Sequence, residues 1–289
     1  MRLATIQASG GPVVVGVHSD SGSEKFVDLK AADPGLPATI LGILSASGGR
    51  DKARAALGEG IKAGRFVTGT FLAPIVRPPK ILCIGLNYRD HAKETNATIP
   101  TEPIVFSKFA TAINNPGAPI VLPRVSTKVD YEAELVVVLG KGGKNIPAAT
   151  AMAHVAGYMN GNDVSARDWQ TEKPGKQWLL GKTPDTFAPI GPYLVTADEV
   201  PDFRKLPIKL TLNGQIMQDS TTAELIFGVD QLIEHISKLV TLEPGDLIFT
   251  GTPPGVGVAR KPQVFLKAGD KVEIEIGGLG TLSNPVVAE

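Results

Sequence analysis

The 289-residue chain carries 29 basic and 29 acidic residues, so its formal net charge is zero at neutral pH. That balance argues against a nucleic acid or a membrane surface as a partner. A single cysteine excludes an intrachain disulfide, four scattered histidines argue against a zinc cluster, and the longest apolar runs are too short for a transmembrane helix. We therefore expect a cytoplasmic protein, although a mature organelle protein without its presequence would have the same composition.

Residues 1–75 are predicted to form a small N-terminal α/β domain. Alternating apolar segments predict strands at 3–7, 13–17 and 26–29, and the pattern at 40–57 predicts a helix. Prolines at 74, 78 and 79 favour a boundary, so residues 76–289 are predicted to form a larger second domain.

The second domain is predicted to be rich in strands. The 32 glycines and 23 prolines of the chain favour many turns, as in β-rich folds. Strands are expected at 80–85, 246–250 and 271–276 and near Val286, and the clearest helix is expected at 229–239.

The first candidate for catalysis follows the strand predicted at 80–85. His91 and Glu94 are three residues apart, so their side chains are neighbours if this segment is helical. A carboxylate beside an imidazole orients the ring and raises its basicity, which is what a general base needs. The alternative is a surface helix with an incidental pair.

A candidate metal site begins before the apolar run Leu135–Leu139, which predicts a buried strand. Side chains alternate along a strand, so Glu132 and Glu134 point to the same side. Two adjacent buried carboxylates need a positive charge between them. Asp163 follows an apolar, helix-like segment and can supply a third carboxylate if the chain folds back. Oxygen ligands suit Mg²⁺, Mn²⁺ or Ca²⁺ rather than zinc. The alternative to a metal site is that the two glutamates lie on the solvated face of an antiparallel strand.

Two glycine-containing segments do not fit nucleotide-binding motifs. Gly181-Lys182-Thr183 would need a glycine at position 176 to form a phosphate loop, and that position is Lys176. Lys182 remains a cation that can bind a substrate carboxylate or enolate, or it is a solvated surface lysine. The segment 250–257 can present backbone N–H groups and the Thr252 hydroxyl to an anion, or it is an ordinary turn.

Five motifs, in this order, resemble the fumarylacetoacetate hydrolase superfamily over about residues 80–287. They are GLNYRDH (85–91), DYEAEL (130–135), NDVSARD (162–168), GKT (181–183) and TGTPPGVG (250–257). The resemblance implies a mixed α+β, β-rich fold with a β-sandwich roll, and a homodimer. One departure is Pro184, where the family usually has an aromatic residue before Asp185.

The resemblance also implies the site. It implies a Mg²⁺ or Mn²⁺ ion, with Ca²⁺ as a substitute in vitro, on Glu132, Glu134 and Asp163. A 2-oxo acid substrate would be held by Lys182, Arg167 and Gln170, with Thr252 closing on its other end. His91 and Glu94 match the family's catalytic pair, which is carried by a segment that orders like a lid.

The implied chemistry is that of a metal-bound enolate of a 2-oxo acid. Segments 151–157, 165–170 and 175–183 resemble one branch of the superfamily, and that branch implies keto–enol tautomerisation of oxaloacetate as the first expectation. Hydrolysis of a C–C bond in acylpyruvates and decarboxylation of oxaloacetate are the alternatives. A non-catalytic binding protein on the same fold is an alternative of another class.

Overall fold

A computed structural model describes residues 1–20, 23–200 and 202–289. The strands are β1 (Arg2–Ala8), β2 (Gly11–Asp20), β3 (Ser23–Asp28), β4 (Thr70–Leu72), β5 (Ile81–Gly85), β6 (Ile104–Lys108), β7 (Ile113–Asn114), β8 (Ile120–Leu122), β9 (Val129–Asp130), β10 (Ala133–Leu139), β11 (Val155–Asn162), β12 (Ser165–Ala166), β13 (Ala188–Thr196), β14 (Pro207–Leu212), β15 (Gln215–Thr221), β16 (Leu247–Phe249), β17 (Lys271–Ile276) and β18 (Thr281–Ala288). The α-helices are α1 (Leu29–Ala32), α2 (Ile40–Ser45), α3 (Gly49–Lys62), α4 (Arg89–Glu94), α5 (Ala148–Ala151), α6 (Arg167–Thr171), α7 (Leu179–Lys182) and α8 (Val229–Leu239).

The larger sheet runs through both parts of the chain. Its strand order is β3-β2-β1-β13-β11-β10-β16-β5-β6, with β4 paired to β1 and β7 paired to β13. Strand β1 pairs antiparallel with β13, so the N-terminal strands extend the sheet of the second part. The division into domains at residue 75 stays a prediction.

A second sheet packs against the first. Its order is β15-β14-β17-β18-β8, and strands β14, β17 and β18 contact β10, β11 and β13. Along β10, Leu135 and Val137 join the core between the sheets, whereas Val136 and Val138 join a second core with Ile43 on the helical side. Both faces of β10 are therefore buried, which explains its uninterrupted apolar sequence. The mixed α+β, strand-rich fold is confirmed.

The predicted helix at 40–57 is wrong as a single helix. The chain forms α2 and α3 with a break between them, where Gly48 adopts φ +66°. A left-handed residue cannot continue an α-helix, and glycine takes this conformation without steric cost. The helix predicted at 229–239 is confirmed as α8, with both of its ends.

The helix-like reading of the segment before Asp163 is also wrong. Most of that segment is the central strand β11, which pairs with β10 and β13. A Cβ atom on Gly157 would lie 2.2 Å from the Val195 oxygen, and one on Gly161 would lie 2.4 Å from Val136 Cγ2. These glycines allow the neighbouring strands to approach closely, so the segment forms a strand although its apolar pattern is helix-like.

No helix within the described ranges combines the length and apolarity that a membrane crossing requires. Cys83 is buried in β5, as expected for an inert thiol.

Candidate active site

Strands β10 and β11 bring three predicted carboxylates together. Glu134 lies on β10 opposite Gly161 of β11, and Glu132 comes two residues earlier. The Asp163 N–H donates to the Glu132 carbonyl oxygen at 2.9 Å, which folds the end of β11 back against the start of β10. One oxygen from each of the three buried carboxylates lies within 4.8 Å of the others. The chain reversal required by the sequence prediction is therefore present.

Three buried basic side chains surround these acids. Lys182 Nζ lies 2.7 Å from Glu132 Oε2 and 2.8 Å from Asp163 Oδ2. Arg167 Nη2 lies 2.7 Å from Glu132 Oε1. Lys108 donates to Asp163 Oδ1 and, at 3.0 Å, to the carbonyl oxygen of the next residue. Lys182 is therefore a buried ion-pair partner rather than a solvated surface lysine.

The pKa values reflect this pairing. Burial alone would raise the pKa of Glu132, but the ion pairs with Lys182 and Arg167 outweigh it and lower that pKa to about 2. Burial also lowers the pKa of Lys182, and in this case Asp163 and Glu132 outweigh it, so the pKa is raised. The charged forms of both groups are thus stabilised by one another.

Glu134 differs from the other two acids. Its Oε2 accepts from the Gly251 N–H at 2.7 Å, and no basic side chain in the described part of the chain forms an ion pair with it. Burial, followed by the negative charges of Asp163 and Glu132, raises the pKa of Glu134 well above its usual range. A hard divalent cation bound here would supply positive charge beside Glu134, and oxygen ligands suit such an ion. The three residues therefore fit the implied metal.

The predicted pair of His91 and Glu94 forms on helix α4. His91 Nδ1 lies 3.0 Å from Glu94 Oε2, and both side chains are partly exposed. Asn87 fixes the start of the helix, because its Nδ2 donates to the Thr250 carbonyl oxygen at 2.7 Å. Since Nδ1 faces Glu94, Nε2 is the ring nitrogen left for a ligand.

The backbone of residues 251–258 binds carboxylates of the protein itself. Four N–H groups donate to three acids: Gly251 to Glu134 (2.7 Å), Gly255 to Glu94 (2.9 Å), and Gly257 and Val258 to Asp130 (2.7 and 3.0 Å). A Cβ atom on Gly257 would lie 1.8 Å from the Val264 oxygen, so no larger residue fits there. The N–H groups of this loop thus bind carboxylate side chains of the chain itself, and the predicted contact of Thr252 with a substrate anion stays a prediction.

A cavity of about 400 Å³ connects these parts. Its lining includes seven predicted site residues: His91, Glu132, Glu134, Arg167, Gln170, Lys182 and Thr252. Glu94 and Asp163 contact these residues from behind the lining. An apolar wall completes the cavity, formed by Ile84, Ile104, Phe106 and Trp178.

Three residues of this region were not assigned from the sequence. Asp130 stands in a quoted motif, but nothing in its spacing distinguished it from the three acids predicted to bind a metal. Lys108 ends the strand β6 and gave no signal beyond a lysine after an apolar run. Trp178 packs so closely that a Cβ atom on Gly85 would lie 2.7 Å from its ring, a contact that only the fold reveals.

The departure at Pro184 lies outside the acid-lined cavity. Pro184 borders a separate surface cavity of about 390 Å³, together with Phe109, Val125 and Leu180. The shape of the acid-lined cavity therefore does not depend directly on this proline.

Comparison with known proteins places this site in context. Residues 80–287 match the family model described as fumarylacetoacetate hydrolase C-terminal. The chain is 51% identical over 290 residues to the bovine (Bos taurus) protein named oxaloacetate tautomerase FAHD2A, mitochondrial, covering 99% of this chain and 92% of that protein. The cytoplasmic location expected from composition stays a prediction.

Two solved structures share the fold along the whole chain. Fumarylacetoacetate hydrolase from Exiguobacterium antarcticum superimposes with a TM-score of 0.83 at 29% identity, covering 100% of both chains. The 5-carboxymethyl-2-hydroxymuconate delta-isomerase from Mycobacterium smegmatis gives a TM-score of 0.76 at 35% identity, covering 100% of this chain and 99% of that one.

Proposed function

Because the chain belongs to the fumarylacetoacetate hydrolase family of enzymes, we propose that it interconverts the keto and enol forms of oxaloacetate with the help of a divalent metal. The observation that carries this proposal is the meeting of three carboxylates, Lys182 and the His91–Glu94 pair at one cavity. The bovine protein named for this reaction supports the choice of substrate.

Glu132, Glu134 and Asp163 would hold the ion, for which Mg²⁺ and Mn²⁺ are the first candidates. When bound, such an ion withdraws electron density from the 2-oxo group and makes the adjacent C–H bond more acidic. Lys182 lines the same end of the cavity, and its ammonium adds positive charge where the substrate oxygen becomes negative.

Gln170, Arg167 and Thr252 provide the polar surroundings of the substrate. All three line the cavity, and Gln218 fixes Thr252 by donating to its hydroxyl oxygen at 2.8 Å. This contact leaves the Thr252 hydroxyl hydrogen for an anionic group of the substrate.

We assign proton removal at C3 to His91. Glu94 holds the ring through Nδ1, so the Nε2 lone pair is available on the cavity side. His91 Nε2 takes the proton from C3, the C–H electron pair becomes the new C2=C3 bond, and the carbonyl π pair moves to the oxygen, which takes a proton from solvent. The reverse sequence returns the keto form.

A second candidate is hydrolysis of acylpyruvates. The apolar wall of Ile104, Phe106 and Trp178 provides contacts that a small dianion does not use, whereas an acyl chain would pack against it. In that reaction, His91 would activate water rather than remove a proton from C3.

A spectroscopic assay separates these functions. Decay of enol-oxaloacetate is followed in the ultraviolet with enzyme, with EDTA, and after Mg²⁺ or Mn²⁺ is restored. A tautomerase accelerates the decay, loses this effect in EDTA, and leaves total oxaloacetate unchanged. Release of CO₂ would indicate a decarboxylase, and cleavage of acylpyruvates would indicate a hydrolase. No metal-dependent effect on any 2-oxo acid would favour the non-catalytic binding protein.

We also propose that the protein is a homodimer that buries an exposed apolar patch. The patch comprises Phe109, Val125 and Leu180, which are 52%, 68% and 59% exposed. Such a contiguous group is typical of an interaction surface. Leu180→Glu should therefore shift the mass measured by light scattering toward a monomer. Leu239→Glu, at a position outside this patch that is 83% exposed, is the control and should leave the mass unchanged.

A further inference from the structure

We propose that Asp130 is a positioning residue that acts through Arg167 and fixes Gln170 as a hydrogen-bond donor toward the substrate. This role rests on the proposed function, because it concerns the same cavity. The proposal assigns a role to Asp130, which does not line the cavity, and it explains which chemical groups of a substrate the cavity accepts.

Asp130 is fully buried and its carboxylate is held from several directions. Three backbone N–H groups donate to it, those of Tyr131, Gly257 and Val258, at 2.8, 2.7 and 3.0 Å. Strand β9, which ends at Asp130, pairs with β12 immediately before Arg167. The backbone therefore fixes this carboxylate before any side chain contacts it.

Arg167 connects Asp130 to the residues that line the cavity. Its Nε donates to Asp130 Oδ2 at 2.8 Å, and Nη2 lies 2.8 Å from the same oxygen. Nη2 also lies 2.7 Å from Glu132 Oε1. This contact is an ion pair, because Nη2 forms no hydrogen bond with suitable geometry to a described residue. The remaining nitrogen, Nη1, donates to Gln170 Oε1 at 3.0 Å.

The direction of this last hydrogen bond determines how Gln170 is presented. A guanidinium group can only donate, so the amide oxygen of Gln170 must face Arg167. The Nε2 group of Gln170 donates to no residue in the described ranges, and Gln170 lines the cavity. Gln170 therefore offers N–H groups, which bind a carboxylate, carbonyl or enolate oxygen and not another donor.

The planar guanidinium is required for this arrangement. Arg167 contacts Asp130 through Nε and Nη2, Glu132 through Nη2, and Gln170 through Nη1. The single ammonium of a lysine has no such geometry and cannot reach both Asp130 and Gln170. Without its partner Asp130, the guanidinium is free to turn toward Glu132, and the amide of Gln170 loses its fixed orientation.

The test is a double-mutant cycle in the full-length protein. Binding of oxalate, which has the vicinal oxygens of a 2-oxo acid, is measured by calorimetry in saturating Mg²⁺, alongside kcat and KM for oxaloacetate. Asp130→Asn and Arg167→Met should each weaken oxalate binding about tenfold, the effect of losing one charge-assisted hydrogen bond. The double variant should bind oxalate as Arg167→Met does, because Asp130 acts only through Arg167.

The control is Asp168→Asn, which should change none of the three quantities: oxalate affinity, kcat and KM. Asp168 lies beside Arg167 in sequence, but its carboxylate accepts from the Ser126 hydroxyl and the Trp169 N–H, away from the cavity. Multiplying effects in the double variant would mean that Asp130 acts independently, as a merely structural residue, and would overturn the proposal. Unchanged oxalate binding in Asp130→Asn would do the same.

Arg167→Lys provides a second route if Asp130→Asn does not fold. It keeps the positive charge beside Asp130 and Glu132 but should lose about tenfold in oxalate affinity, with unchanged Mg²⁺ affinity. Wild-type affinity in this variant would contradict the proposal. If the wild-type protein binds oxalate and the variants show the expected coupling, but the wild-type protein does not turn over oxaloacetate, the proposed reaction fails and the role of Asp130 stands. If it binds no oxalate, both fail.

Discussion

The floor and the rim of the cavity are built differently. On the floor, Glu132, Asp163 and Lys182 are buried and hold one another in ion pairs. On the rim, His91 and Glu94 have side chains that are 14% and 25% exposed, and Glu94 reaches the rest of the site through one backbone N–H group. Changes on the floor should therefore alter metal binding and folding together, whereas changes on the rim should alter turnover alone.

The largest effect is expected from Glu132→Ala on the floor. The variant should lose metal binding and all measurable activity. It should also lose about 3 kcal/mol of unfolding free energy, because Lys182 and Arg167 would each lose a buried partner. Elemental analysis, turnover assays and thermal unfolding measure the three quantities.

The control for this variant is Glu172→Ala, which removes an exposed ion pair with Lys128 and should change none of the three. Retained metal stoichiometry in Glu132→Ala would remove Glu132 from the set of ligands and would break the distinction between floor and rim.

His91→Ala on the rim should reduce kcat about 100-fold, the usual contribution of a general base. Metal stoichiometry and the unfolding temperature should stay at wild-type values, because the side chain is partly exposed and contacts no floor residue among its described partners. His235→Ala, on α8, is the control. Unchanged turnover in His91→Ala would show that the rim pair takes no part in catalysis.

Glu94→Gln should have a smaller effect, with kcat about tenfold lower. The new amide oxygen can still accept from the Gly255 N–H, but its NH₂ group would face His91 Nδ1. His91 would then favour the tautomer with its proton on Nε2, so only the minor tautomer would keep a lone pair toward the substrate. Glu102→Gln, at an exposed position, is the control. Loss of metal from Glu94→Gln would contradict the separation of rim and floor.

The floor and the rim also differ in what their sequences reveal. Glu132 and Glu134 could be predicted from the sequence, because strand alternation places acids two residues apart on the same face. His91 and Glu94 follow from helical spacing in the same way. Such local periodicities also predicted α8 and the strands β5 and β17.

Contacts between distant segments could not be read from local patterns. The strand β11 depends on close packing that only the assembled fold imposes, whereas the break at Gly48 is a local left-handed turn, where an added Cβ atom would meet no described residue within 4 Å. Likewise, Lys108 and Asp130 reach the site through partners 55 and 37 residues away along the chain. The function was accessible because of the resemblance to a family, whereas the network behind the cavity lining required coordinates.

The smallest expected effect separates Glu134 from the ion-paired acid Glu132 of the floor and concerns metal-free protein in EDTA. The raised pKa of Glu134 means that its ionised form is disfavoured in the fold, so at neutral pH, above its ordinary pKa, this charge destabilises the protein. Glu134→Gln removes the charge and keeps an acceptor for the Gly251 N–H, so the unfolding free energy should rise by about 1 kcal/mol, or roughly 2 °C in unfolding temperature. Glu132→Gln should act in the opposite direction, because the lowered pKa of Glu132 shows that its charge contributes stability. If both variants shift the unfolding temperature in the same direction, Glu134 is already compensated within the protein, and the argument that this position requires a cation is lost.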